Sequence, residues 1–90
     1  MDPIIVDVRE PSEYSQGHVA GALNIPPAAI MSGAKELNGL EKGVEIVLYC
    51  VSGSRSNVSM HILQSKGFTN LKNGINAQQV AAKYNLDIVH

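Results

Sequence analysis

Two short runs rich in β-branched residues, at 4–8 and 45–49, limit what this chain can fold into more than any other feature. Each reads as a buried strand, and each is followed by helix signals instead of a tight turn into a second strand. After the first run, Pro11 with Ser12, Glu13 and Tyr14 suits the opening of a short helix that Gly17 ends. After the second, a helix is predicted over 55–66, with Val58, Ile62 and Leu63 on one face and Gly67 as its stop. Weaker signals give a short strand at 22–24 stopped by Pro26 and Pro27, one or two helical pieces between 28 and 43, and a strand at 68–71. A last helix is predicted over 75–84, apolar at Ile75, Val80 and Tyr84, with Asn85 suited to a left-handed cap. Strands alternating with helices predict an α/β domain: a small, mostly parallel sheet of four or five strands with helices on both faces. In such sheets ligands bind beyond the carboxyl ends of the strands, and Cys50 sits at such an end.

Composition narrows the class. Ninety residues, 44 % apolar and 17 % charged, describe a single globular domain over 1–90 rather than a disordered tail or a fibre. Seven basic against eight acidic side chains supply no electrostatic pull toward nucleic acid or a membrane surface, so neither is an expected partner. No apolar stretch approaches the roughly 20 residues that span a bilayer. Met1, Asp2 and Pro3 do not resemble the start of a signal peptide, and a single thiol suits cytoplasm or periplasm alike. Cys50 is the one cysteine, so no internal disulfide staples the fold. Together with His18, His61 and His90 it matches no zinc-ligand spacing, and no metal site is expected.

Chemistry concentrates in Cys50-Val51-Ser52-Gly53-Ser54-Arg55-Ser56, a strand-to-helix loop that opens with a thiol and closes with a guanidinium. A free cysteine is most often a small buried hydrophobe. A glycine- and serine-rich turn on a rigid scaffold favours function instead. An unperturbed thiol with a pKa near 8.5 is only about 3 % ionised at pH 7, and the positive end of a helix with Arg55 close by is expected to lower that value by a unit or two. Gly53 and the serines let successive backbone N–H groups turn inward as a nest for an anion or an anionic sulfur.

Ile5-Val6-Asp7-Val8-Arg9, then Glu13, then Gly17-His18-Val19-Ala20-Gly21-Ala22-Leu23-Asn24-Ile25-Pro26, then the loop 50–56, then Leu63 and Gly67-Phe68, follow one another in an order that resembles the rhodanese homology domain. The shortness of the chain is similar to the minimal single-domain members, the phage-shock type among them. This resemblance implies a thiosulfate sulfurtransferase without cofactor. The Cys50 thiolate would attack the outer sulfur of thiosulfate, or of a polysulfide or persulfide, and carry it as a persulfide. Cyanide, or a thiol acceptor such as a thioredoxin-like protein, would then remove it in a ping-pong cycle. The expected substrate is a small anionic sulfur donor, and the expected state a monomer or weak dimer.

The same resemblance distributes roles. Cys50 is the nucleophile; N–H groups from Val51, Ser52, Gly53, Ser54 and Ser56 hold the persulfide, and Arg55 binds the sulfonate oxygens. Asp7 and Arg9 buttress the loop from the neighbouring strand end. Apart from the resemblance, His18 beside Gly17 in a tight turn is expected to hydrogen-bond the backbone in a supporting role rather than to act as a general base. Glu13 holds the short helix in place. Three departures stand out. The strand and helix that precede the Asp7 strand in larger rhodaneses are missing, the family's Gly-Gly pair is Asn73-Gly74, and a tryptophan position falls near Gln78, which predicts a more open rim. Two other readings compete: a non-catalytic rhodanese module for partner binding or stress sensing, and a phosphatase or arsenate reductase. The latter, by resemblance, needs five residues between cysteine and arginine, where this chain has four, and no activity on an aryl phosphate is expected.

Overall fold

In the computed structural model, which describes residues 2–90, the two β-branched runs lie side by side at the centre of the sheet. Strand β1 (Ile4–Asp7) pairs in parallel with the strand built from the second run, Ile46–Cys50, so that Ile4 faces Ile46 and Asp7 faces Tyr49. Helix α1 (Pro11–Ser15) follows β1, with Pro11 in its first turn and a capping box in which the Glu13 carboxylate accepts from the Glu10 N–H. Two short strands come next, β2 (His18–Val19) and β3 (Leu23–Asn24). Helix α2 (Pro27–Met31) and a 3-10 turn (Lys35–Leu37) then lead into the central strand, β4 (Ile46–Cys50). Helix α3 (Ser54–Ser65), strand β5 (Leu71–Asn76), helix α4 (Ala77–Tyr84) and strand β6 (Ile88–Val89) complete the order.

Four strands form one parallel sheet in the order β3-β1-β4-β5. Both faces are covered, as expected. Alternation along the strands divides the core: Val6, Val8, Ile46, Leu48 and Cys50 pack with Ile30, Leu63 and Phe68, while Ile5, Val47 and Tyr49 pack with Val19, Ala77 and Val80. Cys50 therefore shares its side of the sheet with α3. Among the described residues no helix is long and apolar enough to cross a membrane.

Three sequence expectations shift. The predicted strand at 68–71 begins only at Leu71, because residues 67–70 are engaged elsewhere. Phe68 N–H donates to the Leu63 carbonyl and Gly67 N–H to that of Gln64, which makes a Schellman stop with Gly67 in the left-handed region; Thr69 N–H is tied to Lys42. The last helix starts at Ala77, not at 75. The Asn76 side chain accepts from Gln79 N–H as its N-cap, leaving Ile75 in β5, exposed and at φ 75°; Asn85 does take the left-handed cap position. Helix α3 buries only part of the predicted face, Leu63 fully and Ile62 partly. Ser56, Ser59 and Leu63 point inward while Val58 is 60 % exposed, since small side chains in the first turns let the helix approach the loop and sheet closely. A second, two-stranded sheet was not expected: β2 and β6 pair antiparallel, His18 opposite Val89 and Val19 opposite Ile88.

Gly74 is the extra residue of a bulge in β5, for Leu48 faces Asn73 and Tyr49 faces Ile75. A β-carbon there would overlap the Val80 side chain and come within 3.0 Å of Val47. Gly74→Ala is expected to destabilise the fold by about 1–3 kcal/mol, an overpacking cost read as a lower urea midpoint at unchanged slope.

Candidate active site

Cys50 is the last residue of β4 and only 2 % exposed, and α3 begins four residues later with its N-terminus directed at the same spot. The connection is tight because Gly53 adopts φ 91°, in the left-handed region. That turn brings the Gly53 N–H to 3.1 Å from Cys50 Sγ and the Ser56 hydroxyl to 3.4 Å. Burial alone would push the thiol up. The Ser56 hydroxyl and the backbone N–H groups of Ser56, Gly53 and Arg55 outweigh it and bring the thiol down to about 7. At that value about half of the sulfur is thiolate at pH 7.

Asn73 fixes this loop to β5. Its Nδ2 donates to the Gly53 carbonyl at 2.9 Å, and its Oδ1 accepts from the Ser56 hydroxyl at 2.8 Å and the Ile75 N–H at 3.0 Å. Ser56 has one proton and several acceptors in reach, so an anionic Cys50 competes with Asn73 for it. Val51, Ser52 and Ser54 are exposed, with the Ser52 and Ser54 hydroxyls 3.2 Å apart. Of the expected loop residues, Gly53 and Ser56 touch the sulfur directly.

Arg55, expected to bind the sulfonate oxygens, has its guanidinium forked onto Glu13 at 2.7 and 3.1 Å. Glu13 therefore does more than hold α1. Arg9 instead lines the cavity over Cys50, a space of about 630 Å³ whose walls also include Glu13, Gln78, Ile88 and His90. Asp7 is fully buried beneath, its carboxylate accepting from the Arg9 Nε, Nη2 and backbone N–H; Arg9 Nη2 also donates to the Gly17 carbonyl at 2.7 Å. Asp7 and Arg9 were expected to buttress the loop 50–56; their hydrogen bonds join them to each other, to Gly17 and to Asn24, and Arg9 lies at the cavity wall with 13 % of its side chain exposed. His18 takes no part in the cavity wall: it stacks on Tyr14 at 3.6 Å with Nδ1 against the Tyr14 carbonyl. Sequence reasoning missed Asn73, noted only as a departure from a glycine, and the arrival of Ile88 and His90 at the cavity. Two-residue strands such as β2 and β6 leave no periodic signal.

A strand-ending thiolate in a backbone nest, opening onto a cavity, is the arrangement of a sulfur- or oxyanion-handling domain, and the rhodanese-like domain model matches residues 1–80. The chain belongs to the rhodanese-like domain family. It is similar to the thiosulfate:glutathione sulfurtransferase of Saccharomyces cerevisiae, 35 % identical over 77 residues that cover 74 % of this chain and 55 % of the yeast protein. It is also similar to thiosulfate sulfurtransferase PspE of Escherichia coli, 33 % identical over 79 residues covering 84 % of this chain and 72 % of that protein. A solved rhodanese with anions from E. coli superposes with a TM-score of 0.82 at 28 % identity over 98 % of both chains. The chain spans about half the length of several of the curated relatives it matches.

Two predictions come from these contacts. In Ser56→Ala, Cys50 loses a hydroxyl partner, so the midpoint of its alkylation rate by iodoacetamide moves from about 7 toward the ordinary thiol range, by up to about one unit. The hydrogen bond from Arg55 holds the Glu13 carboxyl at about 2, below its ordinary 4.5. A lowered carboxyl contributes stability above its ordinary value and loses it as pH falls toward 2. Glu13→Gln is therefore expected to flatten the decline in unfolding free energy between pH 4.5 and 2, measured by urea denaturation, by under about 1 kcal/mol because the pair is one-third exposed.

Proposed function

We propose that this domain is a sulfurtransferase that carries a sulfane sulfur on Cys50 between a small anionic donor and a nucleophilic acceptor. The observation that carries the reading is the state of Cys50: a buried thiol brought down to about 7 by the Ser56 hydroxyl and inward N–H groups, at the mouth of a cavity. Thiolate attack on the outer sulfur of thiosulfate forms the Sγ–S bond, and the bond to the sulfonate sulfur breaks with its electron pair leaving on sulfite. The same N–H groups that favour the thiolate then face the persulfide anion. Arg9, oriented by Asp7 and the Gly17 carbonyl, offers its charge to the donor's oxygens within the cavity, and Arg55 is held by Glu13. A thiol, or cyanide in an assay, takes the outer sulfur and returns Cys50 to the thiolate. Relatives named as thiosulfate sulfurtransferases support this reading.

Mass spectrometry of the intact chain after incubation with thiosulfate is expected to show one added sulfur atom, removed by cyanide or a thiol. Cys50→Ser is expected to show none. An unmodified wild-type chain after thiosulfate, polysulfide and an organic persulfide overturns the proposal.

A further inference from the structure

We propose that His90 is the general base that takes the proton of an incoming thiol when the Cys50 persulfide is discharged, an assignment that rests on the sulfurtransferase reading above. Among the described residues, four titratable side chains line the cavity over Cys50: Arg9, Glu13, Cys50 itself and His90. Discharge poses a proton problem, because an alkyl thiol is largely protonated at pH 7 while the attacking species is the thiolate. Cys50 cannot accept that proton while it carries the sulfur and must leave as the anion. Arg9 is permanently charged and committed to Asp7 and the Gly17 carbonyl. Glu13, clamped by Arg55, is held at about 2 and is a poor proton acceptor near neutrality. An imidazole is the side chain that ordinarily exchanges a proton in this range.

The fold brings that imidazole in from the far end of the chain. Pairing of β6 with β2, reinforced by the Ala20 N–H donating to the Asp87 carbonyl at 2.8 Å, carries the chain back past α1. The His90 ring then lies over Gly17, where a β-carbon would approach Cδ2 and Nε2 to 3.4 Å, and the Gly17 carbonyl is the one Arg9 holds. His90 is exposed, so a captured proton has a direct path to solvent. The cavity, about 630 Å³, is in the range of sites that enclose an organic ligand and far larger than a five-atom thiosulfate fills. The family model matches residues 1–80, and His90 lies outside that range.

In the step itself, the acceptor sulfur bonds to the outer sulfur of the persulfide as its proton passes to an imidazole nitrogen. The sulfur–sulfur bond breaks with its electron pair going to Cys50 Sγ. Acceptor persulfide anion, Cys50 thiolate and imidazolium result, and the imidazolium releases its proton to water.

The test loads the full chain with sulfur from thiosulfate or inorganic polysulfide, strips the donor, and follows discharge by rapid mixing with two probes. One is 2-mercaptoethanol, protonated at pH 7; the other is thionitrobenzoate, already ionised. His90→Gln is expected to load normally, to discharge about 100-fold more slowly to 2-mercaptoethanol, and to discharge at the wild-type rate to thionitrobenzoate. Unchanged discharge to 2-mercaptoethanol overturns the assignment, as does equal slowing with both thiols, which marks a structural role. A wild-type chain that loads no sulfur from either donor overturns the sulfurtransferase reading as well, and so separates the two failures.

Discussion

Burial works against a charged sulfur at Cys50, and much of the local structure answers that opposition. The residue ends a strand whose five positions are all buried, so solvent contributes little to an anion there. The compensation comes from hydrogen-bond donors fixed in advance: the Gly53 N–H, the Ser56 hydroxyl and the first turn of α3. None of these holds its place alone. Gly53 needs its left-handed backbone, and Asn73 must grip both Gly53 and Ser56 from the neighbouring strand. Asn73 in turn sits where Gly74 bulges β5, and Gly74 must lack a side chain because Val80 and Val47 occupy the space. The chain of dependence runs from a packing contact under α4 to the ionisation of a thiol on the other face of the sheet.

Charge is handled by the same logic of commitment. Asp7, without any exposure, is tolerable only because Arg9 meets it through the side chain and the backbone together. Arg55 and Glu13 form a second, more exposed pair that joins α1 to the start of α3. The pairs differ in what they leave over. Arg9 is held at the cavity wall, whereas both ends of the Arg55 fork are spent on Glu13.

Legibility in the sequence followed the range of the interactions. The strands over Ile4–Asp7 and Ile46–Cys50, the Pro11 helix start, the Gly67 stop and the Asn85 cap were readable because each is set by neighbours within a few residues. The buried face of α3 was legible only in part: Leu63 and Ile62 pack inward, but Ser56, bonded to Cys50 and Asn73, and Ser59 take inward positions while Val58 is exposed. The start of α4 moved for a similar reason: the Asn76 cap and the bulge at Gly74 overrode the apolar spacing of Ile75, Val80 and Tyr84. In the candidate site, Cys50, Gly53 and Ser56 stood out in one contiguous loop. Asn73, seventeen residues from Ser56, showed only as an unexpected amide beside a glycine.

By itself the sequence determined the alternation of buried strands with helices, and with it a parallel sheet ending in a thiol and a glycine-bearing turn. Those features are local: β-branched runs, caps and a left-handed glycine act within a few residues. Tertiary structure alone decided that Arg55 goes to Glu13, that Arg9 lines the cavity, and that β6 returns to β2 with His90 against Gly17. Each joins residues far apart in the chain, and their meeting depends on how the sheet brings its strand ends together, a distance that no local pattern encodes.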